Sequence, residues 1–299
     1  MKNKKKRKTP LAFYSMLFLP TLLLIVYSYV PMGGIIIAFQ NYKPLMGFFK
    51  SEFVGLENFR QVFQSSQFGR AMVNTVIIAF WKIVWGLIVP VVFALMLNEL
   101  RSTLGKRVAQ TIVYLPHFVS WVLMAGIITN LFSLKGTVNM ILGFFGVEPI
   151  FFLGDNDWFR FTLIITDIWK NFGWGTIVYM AALTGIDMNL YEAVAIDGGG
   201  RWQQTLHVTL PGIASTVILM MTLSLGNVLN AGFDQVFNLM NDVTMKSGDI
   251  LDTLVYRLGM EQMNYSRSTA VGLFKSVVGA VMIVLSHKLA DKAAGYSIF

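Results

Sequence analysis

Long apolar runs separated by short polar segments dominate the hydrophobic pattern of this chain. A helix needs about 20 mostly apolar residues to cross the hydrocarbon core of a bilayer. Six runs reach that length, and we predict a membrane-spanning helix for each: Leu11–Ala38, Ala71–Asn98, Val108–Leu134, Phe161–Leu183, Ile213–Phe233 and Thr269–Leu289. The fourth run carries two charges of opposite sign inside it, Asp167 and Lys170.

The composition agrees with lipid as the surrounding solvent. Hydrophobic residues make up 55% of the 299 residues, charged residues make up 13%, and the mean hydropathy is +0.60. An ordinary globular domain has about 25% charged residues. The chain has no cysteine, and its three histidines are far apart in the sequence. We therefore predict neither a disulfide scaffold nor a metal site. The first apolar run is too long for a signal peptide, so we interpret it as an uncleaved anchor.

The positions of Lys and Arg orient the predicted spans. Six spans place both termini on one side, and we assign that side to the cytoplasm. The short inner segments then hold 12 cations and five acids, whereas the longer outer loops hold nine of each. This distribution follows the positive-inside rule. The net charge of +8 therefore reflects topology and contact with anionic lipid, and we predict no nucleic-acid partner.

One inner segment, 186–211, has a pattern of its own. The pattern of Asn189–Ile196 predicts a short amphipathic helix, with its first residue as the cap and Glu192 three residues further on. The glycines Gly198–Gly200 predict a tight turn with positive φ. A second helical pattern follows, and we expect Pro211 to end it before the next span. The alternative interpretation is a plain amphipathic connector.

This segment resembles the EAA motif of the membrane subunits of binding-protein-dependent ABC importers. The matching residues are Glu192-Ala193, Asp197-Gly198 and Pro211, while Val194 and Gly199 depart from the motif. Three further stretches are similar to LplB-type permeases for complex oligosaccharides: Asp197–Gln203, Asn230–Phe237 and Asn264–Ser276. The resemblance covers nearly the whole chain and extends to maltose- and glycerol-phosphate-type sugar permeases.

The resemblance implies the type I ABC importer permease fold in the bacterial cytoplasmic membrane. It implies one all-α domain over residues 1–299, with a core of about 70–290 and 186–211 as a coupling segment. In that family this segment docks into a groove of a cytosolic ATPase. Carried over by position, the docking residues are Glu192, Ala193, Asp197 and Gly198.

The resemblance also implies the other components of an importer. These are a second homologous permease, two copies of the ATPase, and an extracellular binding lipoprotein that delivers an oligosaccharide. The chain itself has no phosphate-binding G-x-x-x-x-G-K-[ST] motif, because the Gly105-Lys106 pair lacks the first glycine. We therefore predict that the chain is not an enzyme and binds no cofactor, and that ATP and Mg²⁺ bind the partner ATPase.

Polar residues inside the predicted spans suggest a substrate path, because intramembrane charges are costly and are commonly functional. Aromatic rings stack on sugar rings, and amides bind hydroxyl groups. The candidate path residues are Trp169, Lys170, Asn171, Trp174, Tyr179, Asn227, Asn230 and Lys275. The structural alternatives are an Asp167–Lys170 ion pair, helix packing, and an aromatic belt at the membrane interface.

The intramembrane charges also bear on the class of substrate and transporter. Three lysines (Lys82, Lys170 and Lys275) face one acid, Asp167, with Asp234 at a span end. Either the transported glycan is acidic, or these lysines are hydrated or have carboxylate partners in this chain or in the second permease. A secondary active transporter that uses Lys and Asp sites is the alternative function, although we find no inverted repeat. A membrane scaffold without a transport role is the third possibility.

Overall fold

The computed structural model describes residues 11–294 and the side chains of residues 14–288. This part of the chain is mostly helical, and four of its helices are long and apolar enough to cross a membrane: Tyr14–Phe39, Ser66–Glu99, Arg201–Leu225 and Tyr265–Lys288. A bent pair, Thr103–Phe118 and Trp121–Leu131, makes a fifth if it forms one span. The chain therefore contains four or five apolar spans by length and composition.

The secondary structure follows the chain in this order. The helices are α1 (Leu11–Leu24), α2 (Gly47–Lys50), α3 (Glu57–Gln64), α4 (Ser66–Glu99), α5 (Thr103–Tyr114), α6 (Trp121–Leu131), α7 (Thr137–Phe144), α8 (Asn156–Thr184), α9 (Met188–Ile196), α10 (Arg201–Gln204), α11 (Leu210–Leu225), α12 (Phe233–Leu239), α13 (Met245–Gly248), α14 (Leu251–Tyr256) and α15 (Tyr265–Ala294). Short 3₁₀ and π turns extend several of them: Ile25–Tyr29, Val30–Phe39, Leu115–Phe118, Thr205–Thr209 and Arg257–Glu261.

A two-stranded antiparallel hairpin follows the first span. Strands β1 (Gln40–Asn41) and β2 (Glu52–Phe53) pair there, with Gln40 opposite Phe53. Buried Asn58 fixes the hairpin to the span, because its side-chain amide donates to the Ala38 and Gln40 carbonyls at 2.9 and 3.0 Å. The prediction of an all-helical chain misses this pair, since each strand is only two residues long.

The long helices α4 and α8 pack against each other and form the centre of the molecule. Buried apolar residues of both helices meet α6 and α12 in one core cluster, which includes Ile78, Met124, Phe159 and Val236. The fourth predicted span, Phe161–Leu183, lies entirely within α8. Its charged and polar residues lower its hydropathy, and α8 is not among the helices apolar enough to cross a membrane on composition alone.

The third predicted span, Val108–Leu134, is not a straight helix. The chain bends by 108° between Phe118 and Trp121. Pro116 lies just before this break and has no N–H to continue the hydrogen-bond ladder. Ser120 then caps α6, because its hydroxyl accepts the Leu123 N–H at 3.4 Å. The proline and the cap together turn one apolar run into two helices.

The fifth predicted span also differs from the prediction. Ile213–Phe233 was expected to begin after a break at Pro211, but the helix runs from Arg201 through Pro211 and ends at Leu225. The π turn Thr205–Thr209 precedes the proline, and the Leu210 N–H bonds five residues back to the Thr205 carbonyl. This wider turn accommodates a residue that has no N–H of its own. The segment 186–211 is therefore continuous with a span.

Candidate functional sites

The segment 186–211 forms the expected helix, turn and second helix. Asp187 caps α9, because its carboxylate accepts the Asn189 N–H at 3.0 Å. The prediction of Asn189 as the cap is therefore wrong by two residues, since the helix begins earlier than its apolar pattern does. Gly198 turns the chain with φ of +77°. A side chain is rarely found in that conformation, so the glycine is a requirement of the turn.

Hydrogen bonds hold the two helices of this segment together. The Gly200 N–H donates to the Gln203 side-chain oxygen at 2.7 Å, which starts α10. The Gln204 amide donates across to the Tyr191 carbonyl at 3.1 Å. The Tyr191 hydroxyl lies 3.1 Å from the Thr209 hydroxyl at the base of the following span. The α9 helix is thus linked to α11 by side-chain contacts as well as by the backbone.

The far side of this segment is exposed. All four predicted docking residues, Glu192, Ala193, Asp197 and Gly198, are exposed on it. Large apolar side chains lie beside them: Met188, Ile196 and Trp202 have 68%, 85% and 76% of their surface accessible. An exposed apolar patch around a rigid helix is typical of a protein-docking surface.

Lys170 binds the backbone carbonyls at the break between α5 and α6. Its ammonium group donates to the carbonyls of Pro116, His117 and Val119 at 3.1, 2.7 and 2.7 Å. These carbonyls lie at the break, where the helical ladder is interrupted. The residue is 6% exposed, so its charge is held by backbone oxygens. Asp167, one turn earlier, does not form the ion pair with Lys170 that was considered as an alternative.

The Asp167 carboxylate instead faces Lys82 of α4, with 3.4 Å between Oδ1 and Nζ. The Lys82 ammonium also donates to the Ala231 carbonyl at 2.7 Å and to the Gln235 side-chain oxygen at 2.5 Å. Asp167 is the more accessible partner, at 23% against 9% for Lys82. The ion pair lies near the middle of both long helices.

This ion pair lines a cavity of about 310 Å³ between α4, α8 and the end of α11. Predicted path residues Asn227 and Asn230 line the same cavity, together with Ser224. A carboxylate, an ammonium group, amides and a hydroxyl therefore converge on one space. This polar lining suits a hydroxyl-rich ligand.

Two residues beside Lys82, Gln235 and Gly232, are not among the predicted path residues. Gln235 is fully buried, and its amide donates to the Leu163 carbonyl and the Thr166 hydroxyl, both at 2.8 Å. Gly232 has φ of +92°, and a Cβ there would lie 3.0 Å from the Lys82 ammonium. The sequence signals for this arrangement are the amide of Gln235, just beyond the predicted fifth span, and the glycine in the same polar run.

The other predicted path residues lie outside the cavity. Asn171 is 3.1 Å from the His117 ring, and Trp174 stacks on that ring with 4.7 Å between centroids. Tyr179 is buried in an apolar cluster with Leu183 and Ile213. Trp169 is exposed on α8, and Lys275 pairs with Asp252 of α14. The structure therefore brings Asn227 and Asn230 together and leaves the other six elsewhere.

Comparison with known proteins identifies the family. A family model described as "Binding-protein-dependent transport system inner membrane component" matches residues 83–292, which include α8, the segment 186–211 and the cavity lining apart from Ala79 and Lys82. The chain belongs to this family. It is a multi-pass protein of the cytoplasmic membrane and a permease component of an ABC transport system. As a permease component it is a transport subunit and not itself an enzyme.

Two curated relatives from Bacillus subtilis (strain 168) are similar to this permease over most of its length. It is 43% identical to Protein LplB, over 93% of this chain and 88% of the relative. It is 39% identical to the polygalacturonan/rhamnogalacturonan transport system permease protein YteP, over 99% of this chain and 95% of the relative. The predicted resemblance to LplB-type permeases is confirmed.

Two solved structures share the fold. One is a bacterial ABC transporter involved in the import of the acidic polysaccharide alginate, with a TM-score of 0.87 and 34% identity, covering 95% of this chain and 96% of that chain. The other is a bacterial alginate ABC transporter in complex with a periplasmic protein bound to an alginate pentasaccharide, with a TM-score of 0.86 and 35% identity, covering 94% of each chain.

Proposed function

We propose that this permease is one of two homologous membrane subunits of an ATP-driven importer of oligosaccharides. It crosses the membrane six times with both termini in the cytoplasm, and α8 and the bent α5–α6 pair complete the set of spans. An extracellular binding lipoprotein delivers the glycan, and two copies of a cytosolic ATPase supply the energy. The relatives support this substrate class, since they serve systems named for polygalacturonan, rhamnogalacturonan and alginate.

The cavity beside Lys82 and Asp167 forms part of the substrate path in this proposal. Asn227, Asn230 and Ser224 provide hydrogen bonds for sugar hydroxyls. Because Asp167 neutralises much of the Lys82 charge, an acidic sugar meets a paired ammonium group there rather than a free one. The Lys82 ammonium still faces the cavity and is available to a uronate carboxylate that displaces Asp167.

The observation that carries the proposal is the exposed, hydrogen-bonded segment 186–211, which runs directly into a span. A rigid helix on an interface transmits a rigid-body motion, whereas a flexible loop would absorb it. We assign Glu192, Ala193, Asp197 and Gly198 as contacts of the ATPase. The secondary-transporter alternative has no use for such a surface, and the family membership argues against it.

A pair of glycine substitutions tests the coupling role. Gly198→Val places a β-branched residue at φ of +77°, whereas Gly200→Val places the same side chain at φ of −79° in the same exposed turn. We expect Gly198→Val to abolish substrate-stimulated ATP hydrolysis by the complex reconstituted in liposomes, because the turn is strained. Gly200→Val should retain most of it. Wild-type stimulation in Gly198→Val would refute the coupling assignment.

A further inference from the structure

A second cavity, of about 460 Å³, lies at the end of the molecule where α4 and α8 begin. Arg70, Arg160 and Lys246 line it, and Asp157 is its acidic residue. The polar residues Asn74, Asn156 and Ser247 complete the polar part of the lining. Three cations against one carboxylate give this basic pocket a net positive charge.

The pocket is fixed by contacts that leave part of its charge free for a ligand. The Arg160 guanidinium donates to the Asn74 side-chain oxygen at 2.7 Å and to the Ser247 carbonyl at 3.2 Å, which ties α8 to α4 and α13. Arg70 and Lys246 are exposed, and within the described residues neither side chain pairs with a carboxylate. Arg160 therefore holds the walls of the pocket together, whereas the charges of Arg70 and Lys246 are available to a ligand.

The depth of the pocket matches the headgroup region of a bilayer. Helix α4 has 34 residues, which is about 51 Å at 1.5 Å per residue. The hydrocarbon core is about 30 Å thick, so both ends of α4 project into the headgroups. Lys82 lies at the midpoint of α4, and the pocket residues Arg70 and Asn74 lie roughly 18 and 12 Å from it along the axis. Those distances span the boundary between hydrocarbon and headgroups.

Exposed apolar side chains continue from the pocket toward the middle of the membrane. Val73 lines the pocket, and Phe80 lies two turns further along the same face of α4; they are 54% and 52% exposed. On α8, Phe161 lies one turn beyond Asp157 and is 50% exposed. The surface is therefore cationic at headgroup depth and apolar beneath it, which complements an anionic phospholipid.

We propose that the basic pocket binds the phosphate of an anionic phospholipid, with Arg70 and Lys246 as its ligands and the apolar faces of α4 and α8 against its acyl chains. Lys and Arg side chains close to an anionic membrane surface each contribute about 1 kcal/mol of attraction to it. The inference is independent of the transported substrate, since it rests only on membrane insertion and on the pocket.

The absence of native cysteine permits a direct test. A fluorophore on Gln67→Cys, close to the pocket, reports energy transfer from acyl-labelled phosphatidylglycerol in phosphatidylcholine nanodiscs that hold the full chain. We expect a preference for phosphatidylglycerol over labelled phosphatidylcholine. The double variant Arg70→Gln/Lys246→Gln should weaken that preference by about tenfold or more, because two headgroup contacts are lost.

Matched variants separate the pocket from general surface charge and from misfolding. Lys50→Gln/Lys135→Gln removes two exposed cations elsewhere and should leave the preference unchanged. Asp157→Asn removes the pocket's carboxylate and should raise the preference, a gain that misfolding cannot produce. An unchanged preference in the Arg70/Lys246 variant, or equal loss in the control, would overturn the proposal. The proposal would also be overturned if the Arg70/Lys246 variant kept its lipid preference but its assembled complex lost ATP hydrolysis stimulated by the binding protein. That result would assign the pocket to protein docking.

Discussion

At the scale of single residues, the intramembrane charges are held by partners that lie far away in the sequence. Lys82 pairs with Asp167, Lys275 pairs with Asp252, and Lys170 is bound by three backbone carbonyls. None of these lysines is left unpaired in an apolar environment, which would be costly. The argument that unpaired lysines require an acidic substrate therefore does not apply, and the case for an acidic glycan rests on the relatives and on the Lys82 cavity.

Lys170 gives a prediction at this scale. Lys170→Met should destabilise the permease by about 3 kcal/mol or more, because several buried carbonyls lose a charged donor. Uptake of acidic and neutral oligosaccharides should fall equally, since the ammonium group serves the helix break. Thermal unfolding and paired uptake assays in proteoliposomes measure both effects, and exposed Lys135→Met is the control. Selective loss of acidic substrate would instead place Lys170 in the substrate path.

The cavity gives a second prediction at the residue scale. Asn227→Ala/Asn230→Ala should lower uptake at least several-fold while leaving the complex assembled, because both residues are exposed to the cavity and support no other element. Asn171→Ala offers a comparison, since its amide contacts His117 outside the cavity. Uptake with each variant is measured against the amount of assembled transporter. Undiminished uptake in the double variant would remove this cavity from the path.

At the scale of elements, capping and proline explain where the helices begin and bend. Asp187, Ser120 and Ser102 each cap a helix through a side-chain oxygen. Pro116 accompanies a sharp break, whereas Pro211 is accommodated after a π turn. The helix therefore breaks after one proline and continues through the other, because the turn before each proline and the cap after it differ.

The cap of α9 allows its proposed coupling role to be tested by hydrogen exchange. Asp187→Ala should raise amide exchange across α9, since losing such a cap costs about 1 kcal/mol. Ser102→Ala removes the comparable cap of α5 and should raise exchange there while leaving α9 protected. Substrate-stimulated ATP hydrolysis should fall in the first variant only. Unchanged exchange in α9 would show that tertiary contacts, such as Gln204 to Tyr191, hold that helix without the cap.

At the scale of the whole molecule, the proposed topology places the segment 186–211 and the loops that precede α8 on opposite sides of the membrane. In that proposal the segment 186–211 faces the cytoplasm, and the loops that precede α8 face outward. Because the chain has no native cysteine, single substitutions report sidedness directly. Asp155→Cys should react with a membrane-impermeant maleimide in intact cells, and exposed Gln203→Cys should react only after the cells are opened. Reversed labelling would contradict both the orientation and the cytoplasmic ATPase site.

The sequence alone determined the features that depend on local composition and motif spacing. Apolar runs predicted three of the four long apolar helices closely, and the pattern of 186–211 predicted a helix, a turn and a second helix, because hydropathy and turn chemistry are properties of neighbouring residues. Tertiary structure decided how distant residues combine. Asp167 is a turn away from Lys170 in sequence, yet it pairs with Lys82 on another helix. The carbonyls at the α5–α6 break bind Lys170 instead, and only the packing of α8 against that break brings them within reach.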